Sequence, residues 1–208
     1  MPHVNGHTLL VGVTGGIGSG KTLVCRSFER ARVAVLYADD IAKTISATNA
    51  AVRREIRSLL GASAYLPDGS LNRELVASLI FSRPALKKRL DRIVHPRVRR
   101  ALRQTVKRLS SQGHRLVVIE AALIYESGMD EMLDYVIVVD APREQRIRRV
   151  MRRDGVSRSS VERRMRAQWS TGKKRRLADV VVDNGGSPAD LRRAMKLLVA
   201  LFKRMSTP

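Results

Sequence analysis

The sequence predicts a three-layer α/β fold, a five-stranded parallel sheet between layers of helices, and three observations lead there. Five short, β-branched runs are almost continuously apolar: "LLVGV" (Leu9 to Val13), "VAVL" (Val33 to Leu36), "RLVVIE" (Arg115 to Glu120), "YVIVVD" (Tyr135 to Asp140) and "DVVVD" (Asp179 to Asp183). Runs of this kind are strands buried on both faces. Longer stretches with helical spacing alternate with them, and that alternation implies parallel strands joined by crossover helices. With 208 residues, 44% of them apolar, and no repeat, low-complexity tract or linker, the chain is expected to form a single domain over 1–208.

In order along the chain, the first strand runs into a glycine-rich turn and a helix over 23–30. After the second strand, helices are expected over 41–47, 52–60, 71–81 and 84–109. Together these far exceed one crossover, so they mark a helical insertion over about 48–112. The fourth strand leads into helices at 143–153 and 157–168, a second helical excursion over about 143–176. The fifth strand is followed by a helix over 188–202. Aromatic residues make up only 4% of the chain, so aliphatic side chains must fill the core.

Charge is distributed unevenly. The formal net charge is +21, and two segments carry all of it: Arg83 to Arg108 is +10, and Arg143 to Arg176 is +11. They coincide with the two helical excursions. A basic excess raises nucleic acid or an anionic membrane as a partner. No basic patch interleaved with aromatics appears, so a specific nucleic-acid partner is not expected. No apolar run is long enough to span a bilayer and the start of the chain lacks a signal-peptide core, so no membrane partner is expected either. The one cysteine, Cys25, excludes a disulfide framework. It falls on the apolar side of the first helix and reads as inert core, and the protein is expected in the cytoplasm.

"GVTGGIGSGKT" (Gly12 to Thr22) carries the chemistry. Gly15-x-x-x-x-Gly20-Lys21-Thr22 follows a predicted strand and opens a predicted helix, the setting of a phosphate-binding P-loop. The backbone N–H groups of Gly15, Gly16, Ile17, Gly18, Ser19 and Gly20 and the helix N-terminus can cradle a polyphosphate. Lys21 can reach its outer phosphates and the Thr22 hydroxyl can ligate Mg²⁺, so the ligand is a nucleoside triphosphate. A dinucleotide-binding reductase turn fails because Ser19 stands where a glycine is wanted and no tyrosine has a lysine four residues on. A GTPase fails because no Asn-Lys-x-Asp occurs. A small kinase with an acceptor-binding insertion and a basic lid fits the layout. A nucleic-acid-binding protein is the rival class.

Beyond the loop the sequence resembles the dephospho-CoA kinases, the ATP-dependent enzymes that phosphorylate the ribose 3′-hydroxyl of dephospho-CoA in the last step of coenzyme A synthesis. The resemblance runs from about Leu9 to Gly186. It is carried by "TGGIGSGKT", "YADDIAK" (Tyr37 to Lys43), "LPDGSLNRELVASLIF" (Leu66 to Phe81), "HPRV" (His95 to Val98), "EAALIYESG" (Glu120 to Gly128), "RVMRRDGVS" (Arg149 to Ser157), the pair Ala167 and Gln168, and "ADVVVDNGG" (Ala178 to Gly186). Their order and spacing are what make the match specific. Three positions depart from the family pattern: Tyr37 replaces an aspartate, Ala122 a proline, and Glu120 the commoner aspartate.

The resemblance implies ATP as co-substrate with Mg²⁺ and dephospho-CoA as acceptor; the sequence leaves the oligomeric state open, with a monomer as the default. It implies that Asp39 meets the acceptor hydroxyl; from its position alone Asp39 is a helix N-cap. Arg73 and His95 are placed near the acceptor, although His95 also reads as a structural helix histidine. Glu120, an acid closing the third strand, either supports Mg²⁺ through water, contacts the acceptor, or is a solvated strand end. Arg146, Arg149 and Arg153 recur at three- and four-residue spacing, and of these Arg149 and Arg153 match family positions as lid arginines that stabilise the transferring phosphoryl group. Glu126 is a weaker candidate, and Trp169 either stacks on an adenine or packs. The four histidines (His3, His7, His95 and His114) lack metal-ligand spacing.

Overall fold

The five apolar runs form one sheet, in which the first, third and fourth are almost wholly buried, the second is half-buried and the fifth leaves Val181 exposed. The computed structural model describes residues 8–81 and 83–207. His3 and His7 lie outside them. In sequence order the strands are β1 (Leu9–Thr14), β2 (Ala34–Tyr37), β3 (Leu116–Glu120), β4 (Tyr135–Asp140) and β5 (Val180–Asp183). All pair in parallel, in the order β2-β3-β1-β4-β5, as the alternation with helices predicts. The central strand β1 therefore delivers the glycine turn to the middle of the sheet's C-terminal edge, where ligands of open α/β sheets bind.

The helices are α1 (Lys21–Arg30), α2 (Ala38–Thr48), α3 (Ala50–Leu60), α4 (Arg73–Phe81), α5 (Pro84–Ser111), α6 (Arg143–Asp154), α7 (Arg158–Arg166), α8 (Thr171–Leu177) and α9 (Pro188–Met205). Two compact units emerge: residues 8–37 with 106–207 form the sheet unit, and residues 38–105 the helical unit. The helical unit thus starts directly after β2, because α2 packs with α3.

In the sheet unit, Val11, Val13, Val118, Ile137, Val139 and Val182 bury one face against Val24, Cys25 and Phe28 of α1 and Leu191, Met195, Val199 and Phe202 of α9. The alternate strand residues Leu10, Val117, Ile119, Val136 and Val138 are also buried, so the second face is covered as well. Two aspartates pin the register. Asp134 accepts a hydrogen bond from the Leu10 backbone N–H at 2.7 Å, and Asp179 accepts one from Val136 N–H at 2.7 Å.

The C-terminal helix α9 has a complete N-terminal cap: Ser187 and Asp190 form a reciprocal capping box with Pro188 in the first turn. In the helical unit the core is Val52, Ile56, Ala64, Tyr65 and Val76. Pro96 sits inside α5 without ending it.

Of these helices α8 is the one that periodicity does not reveal. "TGKKRRL" has a single large apolar residue, Leu177, which is exposed, and its inward position is filled by Lys174. Its N-terminus is set by Ser170, whose side chain accepts from Lys173 N–H.

Candidate active site

The glycine turn is a phosphate cradle whose shape depends on missing side chains. Gly15 (φ 149°), Gly18 (φ 77°) and Gly20 (φ 96°) have backbone torsions that L-residues avoid. A methyl group at Gly15 would run into the Val139 carbonyl, and one at Gly20 into the Asn184 side-chain amide. Gly20 is the N-cap of α1 and makes no side-chain cap bond, so the first N–H groups of α1 are left for an anion.

Lys21 opens that helix. Its Nζ donates to the Gly15 carbonyl at 3.4 Å and lies 3.7 Å from Glu120 Oε1, and both side chains are largely buried. Glu120 occupies the last position of β3, in register with Val13 on one side and Tyr37 on the other. Thr22, next to Lys21, is exposed. Tyr37, where the family has an aspartate, points its hydroxyl at Glu29 Oε1 (2.8 Å), and burial together with that bond raises its pKa. Cys25 is fully buried and its thiol is pushed up, first by burial and then by the Glu120 charge.

The α6–α8 excursion clasps the loop. Ile17 packs with Ile147, Val150 and Val161, the Ile17 N–H donates to Gln168 Oε1 at 3.0 Å, and a Cβ on Gly18 would meet the Arg146 carbonyl at 2.5 Å. The Arg146 side chain lies over Gly16, leaving no room there for a methyl group. Burial lowers the Arg146 pKa, and its Nε has no hydrogen-bond partner. Arg149 donates from Nη2 to Gln145 (3.2 Å) and to the Asn184 carbonyl (2.9 Å), while its buried Nη1 has no partner. Asn184 in turn donates to the Ser19 carbonyl at 2.7 Å. Arg153 points elsewhere: 64% exposed, it forms a two-pronged contact with Asp154 at 2.7 and 3.1 Å. A cleft of about 280 Å³ is lined by Arg143, Arg146, Gln168, Trp169 and Thr171 among others. Lys173 Nζ covers one face of the Trp169 ring, 3.1 Å from its centroid.

Sequence reasoning missed a buried ion pair beneath this cleft. Lys174 has no exposed surface, and its Nζ donates to the Ala122 carbonyl at 2.7 Å and contacts Glu126 Oε1 at 2.9 Å. Glu126 Oε1 also accepts from the Trp169 N–H at 2.9 Å. Burial lowers the Lys174 pKa and the Glu126 bond opposes that shift. Glu126 therefore anchors the start of α8. Within a run of cations nothing in the sequence distinguishes Lys174 from its neighbours. Gln168 and Asn184 fall inside segments that match the family pattern, and that match was their one signal.

In the helical unit a cleft of about 710 Å³ is lined by Asp39, Lys43, Ser46, Leu71, Asn72 and Arg73, among others. Asp39 is exposed in the first turn of α2, which begins at Ala38, so it is not the N-cap. Arg73 opens α4. His95 does not line this cleft: it lies on α5, 3.6 Å from Asp91, and burial holds its pKa below the usual histidine value. Among the described residues no three His, Cys, Asp or Glu side chains converge as a metal-ligating group.

A glycine loop and lysine between β1 and α1 of a five-stranded parallel sheet define a P-loop kinase fold. A solved shikimate kinase from Acinetobacter baumannii shares that fold at 15% identity and a TM-score of 0.52, covering 95% of this chain and 94% of its own. The dephospho-CoA kinase family model matches residues 9–190, and the chain belongs to that family. The dephospho-CoA kinase of Salinibacter ruber is 45% identical over 88% of this chain and 92% of its own. A crystal structure of a Thermus thermophilus protein has a TM-score of 0.80 at 37% identity, covering 94% of this chain and 98% of its own. The structure of dephospho-CoA kinase from Campylobacter jejuni has a TM-score of 0.70 at 26% identity, covering 95% and 98%.

Proposed function

We propose that this chain transfers the γ-phosphoryl group of ATP to the ribose 3′-hydroxyl of dephospho-CoA, giving coenzyme A and ADP. The observation that carries the reading is the glycine cradle with Lys21 at the start of α1, in a chain whose family match covers residues 9–190. The loop N–H groups, apart from those of Ile17 and Ser19, which bond to Gln168 and the Gly16 carbonyl, and Lys21 bind the β- and γ-phosphates. The Thr22 hydroxyl, exposed at the start of α1, would hold Mg²⁺, and Glu120, 3.7 Å from Lys21, would support it; an exposed hydroxyl with a carboxylate in the same site suits a hard cation, which would supply neutralisation of phosphate charge.

Arg146 and Arg149, each with a buried nitrogen that lacks a partner, supply donors to the phosphoryl oxygens as charge spreads over them. Arg153 joins them once it leaves Asp154. In the helical unit the cleft with Asp39 and Arg73 takes the acceptor, and His95 supports that unit from α5. Asp39 accepts the proton of the 3′-hydroxyl as its oxygen bonds to the γ-phosphorus and the bond from that phosphorus to the β,γ-bridging oxygen breaks. The α6–α8 excursion acts as the lid. The enzyme works in the cytoplasm.

The test is to incubate the protein with Mg·ATP and dephospho-CoA, adenosine, AMP or cytidine in parallel and to follow ADP release. Product from dephospho-CoA alone is expected. Equal or faster turnover of a nucleoside or nucleotide rejects the assignment.

A further inference from the structure

The last helix of the sheet unit exposes an apolar ridge that nothing in the catalytic reading uses. Leu197, Leu201 and Met205 are 71%, 51% and 41% exposed. Their four-residue spacing aligns them on one side of α9, along about 12 Å of its axis. They are not the buried side of the helix, which is Leu191, Met195, Val199 and Phe202. Lys203, on a different side of α9, donates to the Ala31 carbonyl at the C-terminus of α1 at 3.1 Å. Two cations border the ridge: Arg193 lies one turn before Leu197 and Arg204 about one turn after Leu201, both exposed, while Arg192, Lys196 and Lys203 point to other sides of α9, and no acidic residue follows Asp190 in the sequence.

We infer that this face of α9 rests on an anionic lipid surface, with Leu197, Leu201 and Met205 entering the boundary between headgroups and acyl chains while the cations meet lipid phosphates. A helix that lies in the interface combines an apolar side with flanking Lys and Arg and need not span the bilayer. The described helices agree, since none is long and apolar enough to cross one. Charge selects the occupant. A second copy laid on the ridge would bring Arg193 and Arg204 against their own counterparts, and three side chains fall well short of the 20 to 30 residues a side of a stable protein interface. An anionic leaflet attracts each cation near it, and the chain's net +21 adds long-range attraction. The expectation from sequence that no membrane partner exists considered spanning segments, and an interfacial helix escapes that criterion.

The experiment is co-sedimentation of the full chain with phosphatidylcholine vesicles and with phosphatidylcholine–phosphatidylglycerol vesicles. Binding is expected to the anionic vesicles alone, and Leu197→Gln/Leu201→Gln should weaken it at least about tenfold with dephospho-CoA kinase turnover unchanged. A second measurement reads the ridge directly. Cys25 is fully buried, so an environment-sensitive dye on Leu201→Cys reports from position 201 alone. Its emission should shift to the blue on anionic vesicles. No sedimentation, sedimentation that the double variant leaves unchanged, or a dye that stays in water would each overturn the inference. A wild-type dimer in solution that the double variant abolishes would also overturn it, by assigning the ridge to self-association. Turnover is measured separately, so loss of the catalytic reading would leave this result standing.

Discussion

Gly15 and Gly16 are neighbours with different reasons for being glycine, and replacing each by alanine separates shape from chemistry. At Gly15 the φ of 149° and the Val139 carbonyl both oppose a Cβ, and neither can move without shifting β4 or the loop. A forbidden torsion costs about 1–3 kcal/mol and overpacking about 1–3 kcal/mol more, so Gly15→Ala should lose about 2–6 kcal/mol of a total in the range of about 5–15. In a chain of this length that is a fall in Tm of about 5–20 °C. At Gly16 no such torsion is present, and the obstructing atoms are the far end of Arg146, with its Cζ at 3.2 Å and Thr171 Oγ1 at 3.5 Å. A guanidinium can swing out, so Gly16→Ala should change stability by less than about 1 kcal/mol.

The same substitution displaces Arg146 from the loop. If Arg146 stabilises the transferring phosphoryl group, turnover should fall about 10²-fold or more, the usual cost of one lost transition-state donor. Differential scanning fluorimetry and ADP release at saturating ATP measure the two effects. A methyl group at Gly16 could also obstruct the nucleotide, so Arg146→Ala and the double variant complete a cycle. If both changes act through one guanidinium, the double variant is no slower than the slower single variant. Full turnover in Gly16→Ala, or losses that multiply in the double variant, would refute the role given to Arg146. Equal stability of the two alanine variants would refute the backbone argument at Gly15.

Other substitutions test the remaining pieces. Asp39→Asn leaves the charge-independent contacts of the first turn of α2 in place, so a folded protein that binds ATP but turns over about 10²-fold more slowly is expected, and full activity would remove Asp39 from catalysis. Arg149→Ala should cost more turnover than Arg153→Ala, because Arg149 bonds to Asn184, whose amide holds the glycine loop at Ser19, whereas Arg153 is held by Asp154; a ratio near one would count against that ordering. Lys174→Met strands Glu126 in the interior and should cost about 3–5 kcal/mol in urea unfolding, with at least half recovered by adding Glu126→Leu; a loss below about 1 kcal/mol would show the pair to be solvated. For His95 the folded pKa lies below 6.5, so as pH falls through 6.5 the unfolded chain takes up the proton first. Stability should drop from pH 6.5 down to the lower folded value, and His95→Gln should flatten that part of a Tm-against-pH curve.

The sheet was legible because strands covered on both faces, as β1, β3 and β4 are, must be apolar at almost every position; β2 and β5 read the same way although β2 is half-buried and β5 exposes Val181. The phosphate loop was legible for a related reason: backbone that bends around an anion requires glycine at set intervals. What lay hidden depends on pairing in three dimensions. Lys174 reads as one more surface cation among "KKRR", and its burial is decided by Glu126 and the Ala122 carbonyl, about fifty residues away in sequence. The three strand-end departures were visible as letters, but their consequences were not. Tyr37 turns to Glu29 on α1, and Ala122 keeps the carbonyl that Lys174 needs, which any residue type supplies.

The lid arginines show how a basic segment comes to contain a few useful cations. The excursion over 143–176 holds fourteen Lys and Arg against three acids, Glu144, Asp154 and Glu162. Those acids are not scattered. Glu144 and Glu162 take Arg143 and Arg158, and Asp154 takes Arg153 and Arg164. Exposed pairs of this kind add little stability, about 0–1 kcal/mol each. Their effect is to tie four guanidiniums to acids of the same segment, although Arg143 still lines the cleft beside Arg146. On the same helix, Arg146 and Arg149 face inward at three-residue spacing, pair with none of the three acids, and each buries a nitrogen without a partner. A buried donor left unmade is costly, so the fold retains these two at the expense of its own stability. On the reading proposed above, these two donors are taken up by the transferring phosphoryl group, and it is this unmet demand, more than the total of +21, that distinguishes them from the other cations of the segment.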